Sequence, residues 1–300
     1  MLKKVLVLLV TVITFSCTSK DTLPNIVIIL ADDMGYGDPS CYNPGSKIST
    51  PAIDQLAENG MRFTNAHSPA AWCTPSRYGL LTGKYPARIN IGLAGKQCLI
   101  EDEQLNLASL LKTNGYFTAC IGKWHLGFDS VNYQTGIEGG PVDRRFDYYF
   151  GIPVSLVQGA FWRKGMIAPS FSHKQVLPDL TNKAIETIQD HTANNPDIPF
   201  FLYFPLPGPH TPWLPTDEFE GKSDAGMYGD FVMQVDNTVS RVMSTLDKLK
   251  LTDNTLIIFS SDNGPVWFDE DIQNYNHMST YYLKGIKSDM WEGGHRMPFL

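Results

Sequence analysis

The chain has 300 residues, 43% of them hydrophobic, 18% charged and 12% aromatic, which is enough apolar material for a sizeable core and excludes disorder. Its 24 basic and 31 acidic side chains leave a formal charge of −7, so nothing suggests the basic face that a nucleic-acid partner demands. Twenty-five Gly and 20 Pro without period exclude a collagen-like chain, and the length fits one large domain or two ordinary ones.

Lys3 and Lys4 precede an uncharged, largely apolar run over residues 5–15, closed by Ser16. A charged start and a short apolar core fit an export signal over residues 1–16 and are too short for a bilayer-spanning helix. Cys17, directly after Ser16, resembles a bacterial lipoprotein cleavage site, in which the Cys becomes the lipidated first residue; Thr14 stands where an aliphatic residue is usual. The expectation is an exported protein, periplasmic or anchored to the outer membrane through Cys17. Residues 17–24 then read as a tether and 25–300 as the folded domain.

From Pro24 onward short apolar runs alternate with helical periods. Residues 25–31 (N-I-V-I-I-L-A) read as a buried strand, and 51–60 as a helix with Pro in its first turn and Gly at its end. Residues 104–114 form the next helix, with Leu105, Ala108 and Leu111 on one face; 116–121 is a strand, 180–194 a helix and 199–204 an aromatic strand. The longest helix covers 228–250, where Val232, Val235, Val239, Val242, Leu246 and Leu249 recur at spacings of three and four, and 255–260 is a last strand. Strands alternating with helices predict an α/β domain with a largely parallel sheet. The five cysteines have irregular spacings and no C-x-x-C pair, so zinc binding has little support, and Cys120 sits in an apolar run suited to the core.

In such sheets ligands gather beyond the carboxyl ends of strands. The first strand runs into Asp32-Asp33 and the last into Asp262-Asn263, a hard-oxygen set suited to Ca²⁺ or Mg²⁺. Either pair alone could be a turn or a helix cap, because Asp and Asn favour both. Two pairs at strand ends, far apart in the chain, weaken that reading.

The segment C-T-P-S-R-Y-G-L-L-T-G at 73–83 resembles the signature of the formylglycine-dependent (type I) sulfatases. That signature, C-x-P-x-R followed by an aliphatic residue, Thr and Gly, falls here on Cys73, Pro75, Arg77, Leu81, Thr82 and Gly83. Other segments carry the same resemblance: N-I-V-I-I-L-A-D-D-M-G-Y-G-D at 25–38, G-K-W-H-L-G at 122–127, G-P-H-T-P at 208–212 and S-D-N-G at 261–264. L-K-G-I-K-S-D-M-W-E-G-G-H-R-M-P at 283–298 is similar to a further family segment, with Lys284, Ile286 and Ser288 in place of Arg, Gly and Gly and the family lysine on Lys287. G-I-P-V-S at 151–155 is a short match that would place Ser155 on the sulfate. The resemblance implies the alkaline-phosphatase-like sandwich, a central, largely parallel mixed β-sheet flanked by helices. It also implies further chain beyond Leu300, so the C-terminal subdomain of the family is expected to be missing here.

The implied cofactors are Ca²⁺, with Mg²⁺ possible, and a Cα-formylglycine made from Cys73 by a maturation enzyme. Asp32, Asp33, Cys73, Asp262 and Asn263 form the implied metal set, and Cys73, Arg77, Lys123, His125, His210 and Lys287 the implied catalytic set. Ser155, Lys123, His210 and Lys287 would touch substrate. A sulfate ester is a stable anion, so attack at sulfur needs neutralised oxygens and an activated leaving group. In the implied scheme Asp262 deprotonates the residue-73 hydroxyl, which Arg77 holds, and His210 or Lys287 protonates the departing alcohol. His125 then takes the proton of the second hydroxyl and releases sulfate from residue 73.

The implied substrate is a sulfated carbohydrate or aryl sulfate. An acidic exported protein would repel long polyanions, which favours exo action on short oligosaccharides. Trp72, Trp124, Trp213 and Trp267 lie beside the proposed loops in sequence and could stack on a sugar ring, although aromatic residues near loops are usually packing. Two other readings remain open: a phosphodiesterase or phosphonate monoester hydrolase of the same superfamily, and a sulfoglycan-binding protein in which Cys73 is never converted. His67, His173, His191 and His295 read as ordinary surface or structural residues, and His277 as the likeliest exception.

Overall fold

The computed structural model describes residues 22–132, 136–153, 162–163, 166–167 and 172–300. The export segment, Cys17 and Ser155 lie outside these residues. Among the described residues, five adjacent parallel strands make up most of a seven-stranded sheet: β1 (Asn25–Ala31), β2 (Phe117–Lys123), β5 (Tyr148–Ile152), β8 (Phe200–Pro205) and β9 (Thr255–Ser261). Between β2 and β5 the chain forms a small antiparallel ribbon of β3 (Ser130–Asn132) and β4 (Gly136–Glu138). Two short antiparallel strands, β6 (Trp162–Arg163) and β7 (Met166–Ile167), extend the sheet, giving the order β7-β6-β5-β2-β8-β1-β9.

Six helices of seven residues or more accompany it: α1 (Pro51–Asn59), α2 (Cys73–Thr82), α3 (Leu107–Thr113), α4 (Val176–Asn194), α5 (Gly226–Lys248) and α6 (Asp269–Tyr275), with a single turn, α7 (Glu292–His295), near the end. Continuous apolar strands fit a sheet covered on both faces. Val27, Ile29 and Ala31 of β1 pack with α1, α4 and α5 on one face, and Ile28 and Leu30 pack with α2 and α3 on the other. The stripe of α5 is fully buried at Val232, Val235, Val239, Val242 and Leu246. Each such side chain contributes about 1.5–3 kcal/mol of burial.

The sequence boundaries shift for local reasons. Helix α3 starts at Leu107 because Asn106 caps it: its side chain accepts the Ser109 backbone N–H at 3.1 Å, and its own N–H reaches Ser109 Oγ at 2.9 Å. Leu105, expected on the buried stripe of that helix, therefore precedes it and is 65% exposed. Helix α4 starts earlier than the apolar period indicates, at Val176, with Pro178 in its first turn. Cys120 is core, as expected, and the described cysteines Cys41, Cys73, Cys98 and Cys120 are unpaired.

Candidate active site

Four adjacent strands, β2, β8, β1 and β9, end at the same edge of the sheet, and each hands on a polar segment: Lys123-Trp124-His125, the loop to His210, Asp32-Asp33, and Asp262-Asn263. Backbone hydrogen bonds tie these exits together, from Asp32 N to Gly208 O at 2.9 Å and from Asp262 N to Ala31 O at 3.0 Å. Gly122 makes the convergence possible: it adopts φ +132°, and a Cβ there would lie 1.9 Å from Pro205 O. Any side chain at that point would push β2 and β8 apart.

Helix α2 enters from the second face with Cys73 as its first residue and no side chain capping its N-terminus. The first N–H groups and the helix dipole thus favour an anion beside position 73. One turn on, Arg77 is fully buried; its Nε and Nη2 donate to Asp262 Oδ2 at 2.9 and 2.6 Å, and Nη1 donates to Lys123 O at 2.9 Å. Lys123 Nζ donates to Asp32 Oδ2 at 2.5 Å, and Lys287 Nζ to Asp33 Oδ2 at 2.7 Å. His210 Nε2 lies 3.6 Å from the same Asp33 oxygen, while its Nδ1 faces Thr211 O. Asn263 donates to Asp33 Oδ1 at 2.7 Å, and Asp262 Oδ1 accepts the Asp33 backbone N–H at 3.2 Å. The structure therefore brings Asp32, Asp33, Cys73, Arg77, Lys123, His210, Asp262, Asn263 and Lys287 into one cluster. His125 also belongs to it, through its electrostatic coupling to Lys123, Arg77 and Asp32.

Three carboxylates and three permanent cations at one strand edge make an uneven field. Burial opposes the charge on Asp32, but Lys123 and then Arg77 outweigh it and hold that carboxyl well below its usual range. Asp262 moves the other way, raised first by burial and then by the neighbouring Asp32. Two buried carboxylates that share one guanidinium cannot both ionise cheaply, and a divalent cation relieves that conflict. The hydrogen-bond pattern agrees. Among the described residues four buried side-chain atoms lack a hydrogen-bond partner, and three of them, Asp32 Oδ1, Asn263 Oδ1 and His125 Nδ1, belong to this cluster. An anionic oxygen and an amide oxygen left without hydrogen-bond partners at neighbouring strand ends are suited to a hard cation. Ligating atoms of Asp32, Cys73 and Asp262, and of Asp32, Asp33 and His210, also lie within 4.8 Å of one another.

The remaining groups fall into chemical roles by protonation. Burial, then Lys123 and Arg77, push His125 down to about 2, so its imidazole is neutral. It adopts a left-handed φ of 56°, pinned by its N–H donating to Pro153 O at 2.8 Å. Burial pushes the Cys73 thiol up to about 11, which leaves almost no thiolate at neutral pH. An unmodified Cys73 is therefore a poor nucleophile in this setting.

The four tryptophans divide between packing and exposure. Trp124 is fully buried, its indole N–H donating to Gly127 O at 2.9 Å, and Trp267 is 2% exposed and packs on Tyr228. Both are core residues: Trp124 follows Lys123 and turns to the opposite side of the strand exit, and Trp267 is enclosed by Trp213, Tyr228 and Tyr275. Trp213 is half-buried against the same aromatics, whereas Trp72 is 51% exposed beside position 73. A further set of buried polar residues, Asp38, Tyr228, His277 and Ser279, lies behind the Asp32-Asp33 loop; of these the sequence singles out His277 alone, as a candidate pocket residue, and the structure buries it fully. Asp38 closes the quoted 25–38 segment, and that position was the available signal.

Comparison with known proteins gives one consistent result. The sulfatase family profile matches residues 24–300. An N-acetylgalactosamine-6-O-sulfatase of Bacteroides thetaiotaomicron is 35% identical over 92% of this chain and 67% of its own length. Human arylsulfatase A is 34% identical over 92% of this chain and 58% of its own. A solved structure described under the metabolism of multiple glycosaminoglycans by Bacteroides thetaiotaomicron superposes with a TM-score of 0.86 at 33% identity, covering 93% of this chain and 72% of that one. The chain thus spans between 58% and 67% of the length of these two curated relatives.

Proposed function

Because the chain belongs to the sulfatase family, we propose that the whole protein hydrolyses sulfate esters, with residue 73 as the nucleophile position and a carbohydrate sulfate as substrate. The observation that carries this reading is the placement of Cys73, an inert buried thiol at a helix N-terminus, within the cluster of Asp32, Asp33, Asp262, Arg77 and Lys123. Such a residue becomes useful once oxidised to formylglycine, whose hydrate offers two hydroxyls in place of the thiol.

Asp32, Asp33, Asp262 and Asn263 would hold a divalent cation, Ca²⁺ by family resemblance, and residue 73 lies within its reach. When bound, the cation supplies positive charge to the sulfate oxygens and favours the deprotonated hydroxyl at position 73. The rest falls to the chain. Arg77 fixes Asp262 and links it to the end of β2. Lys123 and Lys287 put two ammonium groups beside the carboxylates, where they offset charge developing on sulfate oxygens. His210, partly exposed and with its Nδ1 turned to a carbonyl, presents Nε2 to protonate the departing alcohol. His125, neutral and buried, takes the proton that lets sulfate leave residue 73.

The sugar assignment is supported by the similarity to the N-acetylgalactosamine-6-O-sulfatase of Bacteroides thetaiotaomicron. Residues 3–17 support export and a lipid anchor on Cys17, which would place the enzyme where sulfated glycans are met outside the cytoplasm. No helix among the described residues is long and apolar enough to cross a membrane. A screen of the full-length protein on defined sulfated mono- and oligosaccharides, beside an aryl sulfate and its phosphate counterpart, tests the reading. Faster turnover of short sulfated sugars is expected. A preference for the phosphate, for intact polymer or for aryl sulfates alone would contradict it.

A further inference from the structure

Behind the paired carboxylates the chain turns through Met34, Gly35, Tyr36 and Gly37 to Asp38, whose side chain is fully buried. That carboxylate accepts the Gly35 N–H at 2.6 Å, His277 Nε2–H at 2.8 Å and the Tyr228 hydroxyl. His277 is itself fully buried, and its Nδ1 accepts the Lys47 backbone N–H at 3.3 Å, which places the ring proton on Nε2. Its backbone carbonyl accepts the Trp267 indole N–H at 3.0 Å. The Tyr228 hydroxyl lies 3.4 Å from Asp33 O and 3.1 Å from Ser279 Oγ. One buried carboxylate thus joins the loop that follows Asp33, helix α5 and the segment around His277.

This junction lies where strain must be held. Asp33 adopts φ +66°, a left-handed conformation costly for a non-glycine residue. Asp32 and Asp33 are consecutive carboxylates at one strand end, so their repulsion favours letting the loop swing away. The loop backbone is instead clamped against residue 279: Gly37 N–H donates to Ser279 O at 2.7 Å, and a Cβ on Gly35 would lie 2.1 Å from the same oxygen. The His277–Asp38 contact is the side-chain bond that ties the 277–279 segment to this loop's own carboxylate, beside the Trp267 indole on His277 O and Tyr228 on Ser279.

We propose that Asp38 and His277, with Tyr228, form a positioning unit that holds Asp32 and Asp33 in their cation-binding arrangement without themselves touching the ion or the substrate. The inference rests on the divalent-cation reading of the Asp32, Asp33, Asp262 and Asn263 cluster. Partners of this kind, one bond removed from a metal ligand, commonly change metal affinity by about 10–100-fold when removed. The test is calorimetric titration of Ca²⁺ into the full-length protein with residue 73 left as cysteine, so that affinity is read without turnover, alongside the melting temperature of the metal-free protein. His277→Ala is expected to weaken Ca²⁺ binding by about 10-fold or more, while His277→Gln, whose amide can still donate to Asp38, stays within about threefold of wild type. Tyr228→Phe removes a single hydroxyl, keeps the packing, and is expected to fall between them. Unchanged Ca²⁺ affinity in a folded His277→Ala or Tyr228→Phe protein overturns the proposal, as does a His277→Gln protein as impaired as His277→Ala. Wild-type protein that binds no Ca²⁺ refutes instead the cation reading on which it rests.

Discussion

The two ends of the central sheet both carry clustered polar groups, and they treat them in opposite ways. At the amino ends each group closes on a neighbour. Asn25 donates to Thr255 Oγ1 at 3.3 Å and accepts the Phe200 N–H at 3.1 Å. Asp147 accepts the Thr118 N–H and hydroxyl, both at 3.0 Å, together with Lys112 Nζ at 2.6 Å. At the carboxyl ends like charges are crowded together, and Asp32 Oδ1, Asn263 Oδ1 and His125 Nδ1 remain unsatisfied. A cavity of about 550 Å³ opens at the amino end beside Lys112, Asp147 and His191, but every one of those three side chains already has a protein partner. The comparison teaches that chemistry is marked by unmet polar demand more than by the size of an opening.

The largest expected effect comes from removing a carboxylate on the demanding side. Asp33→Ala deletes the acceptor shared by Lys287, His210 and Asn263. It should lower kcat/KM by about 10³-fold or more and abolish Ca²⁺ retention. Conversion of Cys73 should survive, as peptide mass at that residue would record. Near-normal hydrolysis by the variant would mean that the crowded end is only a structural ion-pair network.

Next in size is the division between the two histidines, each worth about 10²–10⁴-fold if it transfers a proton. His125→Ala should release one equivalent of alcohol in a burst and then stall. His210→Ala should slow that first release, most for alkyl leaving groups such as sugars. Stopped-flow assays with an aryl sulfate and a sugar sulfate separate the cases, and equal slowing of both phases in both variants would remove the distinction.

A smaller effect concerns acid stability. The His125 pKa is about 2 in the folded protein against 6.5 for a free imidazole, so below 6.5 the unfolded chain binds a proton that the folded site refuses. Stability must then fall as pH is lowered from 6.5, by up to about 1.4 kcal/mol per pH unit from this group alone. His125→Gln should make the decline between pH 6.5 and 4.5 shallower by roughly that slope, read from urea midpoints. An unchanged slope would place His125 in a less buried, more polar setting. The smallest effect is at the satisfied end, where Asp147→Ala should cost about 1–2 kcal/mol of stability and leave kcat unaltered.

Much of this contrast was legible in the residues, and the rest was not for physical reasons. The strand over 25–31 and the long valine stripe of α5 carry their own periodicity, and the carboxylate pairs at strand ends mark the site. The start of α3 depended on a capping box between Asn106 and Ser109 that apolar spacing does not register. Trp124 and Trp267 stayed open between packing and stacking because closeness along the chain to Lys123 and Asn263 does not fix which way a ring turns. The buried junction of Asp38, Tyr228 and His277 joins residues up to 239 positions apart, a proximity that only the fold reveals.

The most direct test of the central claim is the rate of 4-nitrophenyl sulfate hydrolysis by the full-length protein, with residue 73 verified as converted, during Ca²⁺ titration after chelator stripping. If the unsatisfied oxygens at the carboxyl ends are a cation site, the stripped protein should be nearly inactive and recover along a single-site binding curve. Full activity in the stripped protein would contradict it.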